Sequence, residues 1–480
     1  MRRGYITVFL TLSLTLILSL VFMLIEGARI SAVRMKFECV ADIGMNSILA
    51  EYHRELLEQY DLLFVDMSYG GNYANIGNTE AHLKGYMQKN LRAENSGTGF
   101  GSGSVRDLLA MDVGKVHIGQ YSIASDEQGA VLKRQITDYM SDYPMGAILE
   151  KLHSGVSDLE SYGLEARNIE GERQSYEARI EEIGLPTQEV EEGVFEEVPL
   201  NNPADIANAT RSGGVLNLVL DKPSQVSAVK VALSDYISHR SYMKGTGVCA
   251  EAASVSGEPD DLVFQAYLFE KCGFYGEEQD KTLLKYQIEY ILSGQDTDWQ
   301  NLENVAKRLL KWREVANVLY ILTDSTKIAE AEAMALALTA VALCPELAEP
   351  VKYTILFAWA YVESLQDVKT LLAGGRVPIF KTAADWKTGI NSIENVRGSL
   401  AEDSGGNGLS YQEYLRIMLF LQNESTRAFR AMDIMEMDIR RTAGNARFRI
   451  DACFDTYTAD LSVTSGFGYS YEMSRCYGFY

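Results

Sequence analysis

The chain has 480 residues, 47% of them hydrophobic, only nine prolines, and a formal net charge of −22. Length and apolar content suffice for one or two buried cores, and the acidic balance excludes nucleic-acid binding through clustered lysine and arginine. The five histidines are scattered, with no H-E-x-x-H or Cys/His cluster, so no metal and no cofactor are expected.

Residues 1–4 form a short cytoplasmic tail ahead of an apolar run. From Ile6 to Ile25 the chain carries no charge over 20 residues, which as a helix span about 30 Å, the thickness of a bilayer's hydrocarbon core. Arg2 and Arg3 precede the run as in a secretory signal peptide. The run exceeds the ~7–15 residues of a signal core, however, and no A-x-A-like cleavage site follows. The expectation is an uncleaved transmembrane helix over 5–26, N-terminus cytoplasmic and the bulk of the chain extracellular. Arg29, Arg34 and Lys36 leave little charge bias, and the orientation rests on long domains being translocated largely regardless of charge.

Within the span Thr7, Thr11, Thr15 and Ser19 recur every fourth residue on one strip, and Glu26 falls on it. Hydroxyls on one face suit helix–helix packing in lipid; the plainer reading is that they bond back to their own helix carbonyls. Glu26 either ends that packing face or marks the interface. Beyond it Val33, Phe37, Val40, Gly44, Ile48, Tyr52 and Leu56 keep a spacing of three or four, which predicts one buried helical face and an extramembrane spine over 27–60. A helix of that length has the geometry of pilins and pseudopilins; a bend at Gly27 would keep the anchor and lose the spine.

Residues 61–182 read as an α+β region. YDLLFVD predicts a short strand, Ser96–Ser104 a flexible loop, Val113–Ile123 a strand, Gly129–Tyr143 a helix, and Ala147–Ile183 a solvated hairpin or coiled coil. Residues 183–214 read as an acidic linker: seven glutamates and no lysine or arginine fall between Glu181 and Glu197. Residues 215–446 form a mostly helical domain, apart from a strand at VLNLVL (215–220). Residues 447–480 return to β through alternation and aromatics. The fold class is thus α+β, mostly helical, with an N-terminal transmembrane helix continuing as a pilin-like spine. Short strands near the N-terminal third and the C-terminus are expected to share one sheet.

The segments ITVFLTLSLTLILSLVFMLIEGARISAVR, NSILAEYHRELLEQYDLLFVD, VDMSYGGN, ASDEQGAVLKRQITDYMSDYP and KYQIEYIL resemble an uncharacterised family of TadE/TadG-like membrane proteins. Its members are linked to Tad/Flp pilus loci in clostridia-type bacteria. NLENVAKRLLKWREVANVLY, ILFAWAYVESLQDVKTLLAGGRVPIFKT and LSYQEYLRIMLF fit the same pattern. The resemblance implies a pilus-linked membrane protein and carries no catalytic residues. Prepilin-peptidase substrates resemble Arg2-Arg3-Gly4 followed by a helix, but with glutamate five residues on; here that position is Phe9. An assembly or accessory role fits this better than a major pilin.

Six cysteines in an exported chain permit disulfides, with Cys453–Cys476 and Cys249–Cys272 as candidate pairs; buried thiols are an equally ordinary outcome. Other motifs read more simply as structure. Asp66-x-Ser68-x-Gly70 resembles the start of a metal-binding loop but reads as a turn. Ser227-x-x-Lys230 with Lys387-Thr388-Gly389 imitates the signatures of penicillin-binding enzymes without the middle element. Glu363 and Asp367 lie one helical turn apart and read as a solvated edge. The expected function is therefore non-enzymatic: a single-pass component of a Tad/Flp-like pilus or secretion apparatus, with the membrane, other pilus or pseudopilin proteins, or further copies of itself as partners. A membrane-tethered adhesin or ligand-binding module is the alternative, and an exported hydrolase the third.

Overall fold

The computed structural model describes residues 2–91, 109–141, 146–191, 194–247, 258–401 and 406–479. The loop expected over Ser96–Ser104 lies outside them.

In chain order the first elements are α1 (Arg2–Leu49), α2 (Arg54–Tyr60), β1 (Val65–Asp66), α3 (Ile76–Leu91), β2 (Met111–Ile123) and α4 (Ala130–Tyr139). Next come α5 (Gly146–Ser161), α6 (Ile169–Ile183), β3 (Thr187–Glu191), β4 (Val194–Glu197), α7 (Pro203–Thr210), α8 (Val215–Val219) and α9 (Glu258–Lys271). A helical stretch holds α10 (Gln287–Ser293), α11 (Asp298–Ile321), α12 (Ser325–Val341) and α13 (Ala348–Leu372). After it lie β5 (Arg376–Val377), α14 (Val396–Ser399), β6 (Leu409–Ser410), α15 (Tyr411–Phe420), α16 (Glu424–Ile439), β7 (Cys453–Ser465) and β8 (Ser470–Gly478). The architecture is α+β and mostly helical.

The chain divides into two compact units, neither contiguous in sequence: the first combines residues 1–141, 236–260 and 435–480, the second 142–235 and 261–434. The segments 61–182 and 215–446 therefore each contribute to both.

In the first unit strands from both ends of the chain build one antiparallel sheet. β7 is its centre, paired along one edge with β2 and along the other with β1 and β8. α1 and α3 lie against it. Val33, Phe37, Val40, Ala41, Met45 and Ile48 of α1 join Leu83 and Met87 of α3 and Phe454, Tyr457, Leu461 and Val463 of β7 in one buried cluster. The Tyr457 hydroxyl donates to the Met45 carbonyl at 3.0 Å, satisfying its polar end within that core.

α1 runs through Gly27 without a bend, as the spine requires, but stops at Leu49 instead of reaching Tyr60. The chain turns over residues 50–53, where the His53 amide donates to Phe64 O at 2.8 Å. His53 Nδ1 then accepts from the Leu56 amide and caps α2 as a separate helix. Tyr52, expected on the buried face, is 39% exposed.

In the second unit α13 is the core. From Thr354 to Leu372 every side chain on it is buried, as in a helix surrounded on all sides. α6, α7, α8, α11 and α12 pack around it. The helices expected as a solvated hairpin or coiled coil, α5 and α6, do form; α5 packs on α15 and α6 on α13. The expected acidic linker is a β3–β4 hairpin followed by α7. VLNLVL is helical rather than extended. Gly214 precedes it in β geometry, and the Glu303 carboxylate accepts the Val215 and Leu216 amides at 2.8 and 3.0 Å, so an anion occupies the positive end of α8.

Candidate functional site: the exposed helix and the hairpin at its foot

Over residues 4–25 α1 is largely exposed. Its large apolar residues from Tyr5 to Ile25 lie between 43% and 81% exposed, in a helix long and apolar enough to cross a membrane. On it, Thr7 Oγ1 donates to Gly4 O at 2.9 Å, Thr11 Oγ1 to Thr7 O and Val8 O at 3.0 Å, Thr15 Oγ1 to Leu12 O at 2.9 Å, and Ser19 Oγ to Leu16 O at 3.0 Å. Each hydroxyl thus satisfies its donor within its own helix, leaving small side chains on the strip.

Glu26 differs. It accepts from the Tyr469 phenol and lies 3.6 Å from the Arg29 guanidinium. Arg29 in turn sits 4.4 Å above the Phe467 ring. Both aromatics belong to the four-residue turn Gly466–Tyr469 that joins β7 to β8. Gly468 holds φ +83° there, a left-handed geometry that glycine adopts without strain. The turn is closed by Ser465 N to Tyr469 O at 2.8 Å and Gly468 N to Ser465 O at 3.0 Å, and Gly466 N reaches Ala110 O at 2.7 Å. The Glu26 carboxylate, as acceptor, holds the Tyr469 phenol above its ordinary range. Further along, Asp42 accepts from Arg475 at 3.2 Å and Tyr477 at 2.8 Å, so β8 runs beside α1. Sequence reasoning found Glu26 and missed Phe467 and Tyr469. The signal available was the run Gly466-Phe467-Gly468-Tyr469, two aromatics alternating with glycines inside the predicted C-terminal β region.

The cysteine expectations are corrected. Cys453 is a buried reduced thiol opening β7, and Cys272 is likewise buried and reduced, so neither Cys453–Cys476 nor Cys249–Cys272 forms. Cys476 is disulfide-bonded, and Cys249 lies outside the described residues.

Glu363 and Asp367 are not a solvated edge. Both are buried on α13, with Lys381 bridging them. Glu363 also accepts the Lys387 amide at 3.0 Å and the Thr388 amide and hydroxyl at 2.8 and 2.7 Å. Asp367 accepts from Arg313 Nε and Asn317 Nδ2, each at 2.9 Å. Burial alone would raise the Asp367 carboxyl, but Arg313 and Lys381 hold it below the usual range. The Trp359 and Trp386 indoles close the cluster on Thr388 O at 3.1 and 3.0 Å. Two acids and two cations bonded to one another and to neighbouring backbone form a buried ionic network.

The remaining motifs are similarly engaged. Ser227 Oγ donates to Asp298 at 2.5 Å, and Lys230 pairs with Asp296 at 3.0 Å. Asp66 accepts from the amide and hydroxyl of Ser68 at 2.8 and 2.6 Å, closing a turn. Among the described residues no cluster of His, Cys, Asp and Glu could hold a metal ion.

These features define an α+β protein that carries, at its N-terminus, one exposed apolar helix compatible with a membrane anchor. The chain belongs to DUF5702, a family of unknown function, which residues 193–465 match. Neither the curated proteins nor the solved structures hold a match to it.

Proposed function

We propose that this protein is a non-enzymatic, single-pass component of a membrane-rooted envelope assembly of the Tad/Flp-like pilus or secretion type. In this reading the N-terminus is cytoplasmic and the folded units lie outside. One observation carries it: α1 is a single helix whose first half is exposed and apolar while its second half is the buried spine of an antiparallel sheet. That is the architecture of pilins and pseudopilins named above, and it suits a subunit that packs against other membrane helices through the Thr7, Thr11, Thr15 and Ser19 strip. The disulfide at Cys476 fits an oxidising compartment. A tethered adhesin is the second reading, favoured by the exposed apolar end of α12, where Val341 and the following Leu343 are 77% and 78% exposed.

The test labels Cys39, an exposed reduced thiol beyond the span, with a membrane-impermeant maleimide in intact cells. Labelling before lysis is expected; labelling only after lysis overturns the orientation. Photo-cross-linkers at Thr11 and Thr15 are expected to capture pilus-type membrane subunits, whereas capture of no membrane protein removes the assembly reading.

A further inference from the structure

We infer that the β7–β8 turn is a second membrane contact, in which the Phe467 ring enters the lipid–water interface beside the point where α1 leaves the bilayer. The inference rests on the anchor reading above and adds a depth stop to it. Height is fixed by two contacts. Tyr469 is bonded to Glu26, the first charged residue after the apolar run, and Phe467 lies under Arg29, three residues on. The turn is therefore held level with the end of the uncharged run, where aromatic side chains concentrate in membrane proteins.

Charge points the same way. Leu461–Tyr471 is 11 residues without an acid or a base, in a chain of net charge −22, and it is this uncharged segment that carries the turn. An acidic tip would be repelled by lipid phosphates; this one presents a 41% exposed Phe467 ring, with the Arg29 guanidinium above it offsetting the charge of its ion-pair partner Glu26. The turn is also stiff. Its closing hydrogen bonds and the Gly466–Ala110 brace are already made, so little ordering is lost on contact. A single exposed phenylalanine is ordinary on a soluble surface. What singles this one out is its register with the membrane end of α1.

The test uses the full chain in phosphatidylcholine–phosphatidylglycerol vesicles carrying brominated acyl chains, with wild-type emission from the four native tryptophans subtracted. Phe467→Trp is expected to be quenched most by bromines near the glycerol end. Ile17→Trp, in mid-span, is expected to be quenched most by bromines deep in the chains. Quenching of the Ile17→Trp indole alone overturns the inference and leaves the anchor standing; quenching of neither overturns both. A benzophenone side chain at the exposed Ser470 gives an independent measurement should the substitution disturb the turn. Lipid adducts there support the contact, and their absence overturns it.

Discussion

Glu289, fully buried on α10, accepts the Tyr275 amide at 2.9 Å and the Tyr411 phenol at 2.8 Å through Oε1, while Oε2 has no partner. Burial pushes its carboxyl up to about 7. The folded state then holds a proton that the unfolded chain releases near the ordinary glutamate value of about 4.3. Stability is therefore lost as pH rises between those two values, by about 4 kcal/mol in total, and is flat above about 7. Glu289→Gln is expected to remove that slope. Its stability relative to wild type should grow by about 3 kcal/mol from pH 5 to pH 8 in denaturant titrations of the detergent-solubilised chain. A pH-independent difference would show that Glu289 is ionised in the folded state. Nothing in the sequence marked this residue, and Glu363 and Asp367 were misread for the same reason. Acids spaced along a helix look solvated until the helix is known to be surrounded, and only packing shows that α13 is.

At the scale of elements, three-and-four spacing made the spine legible because α1 has one buried face over Val33–Ile48. Its end was not legible. The break at residues 50–53 contains neither proline nor glycine and is made by His53 acting locally as a cap and by its amide pairing with Phe64. VLNLVL failed because alternation over six residues is weak evidence against a cap supplied by Glu303, 88 positions away from Val215. Two of the glycines of α1, Gly27 and Gly44, test the reading of that helix. A Cβ at Gly27 would meet nothing within 4 Å, whereas one at Gly44 would lie 3.1 Å from Leu83 Cδ1 and 3.2 Å from Met87 Cγ, where α3 crosses. Gly27→Ala is expected to be neutral or to stabilise by up to about 1 kcal/mol through helix propensity. Gly44→Val should destabilise by about 1–3 kcal/mol through overpacking. Thermal unfolding of the two variants checks this, and equal effects would mean that α3 does not approach α1 as closely as the side-chain distances imply.

For the whole molecule, the expectation that strands from both ends share a sheet held because β7 reads clearly as a strand, and its partners β1 and β2 do so from the other end of the chain. The consequence is that the C-terminal strands are tied to α1 from Glu26 onward, through Met45, Asp42 and Glu26, and not to its exposed apolar run. Folding and anchoring should then be separable. Removing residues 2–25 takes away the exposed apolar run from Tyr5 to Ile25, of which no large apolar side chain enters the core. Fold stability is expected to stay within about 0.5 kcal/mol of the full chain, as for changes away from packed features. Membrane retention should be lost, because one interfacial phenylalanine is far short of the apolar area that holds even a singly acylated protein reversibly on a bilayer. Fractionation of cells expressing the two forms, with melting of each after purification, reads both effects. A shortened chain that unfolds would make the apolar run part of the fold; one that stays folded and still sediments with membranes would place the main attachment elsewhere on the molecule.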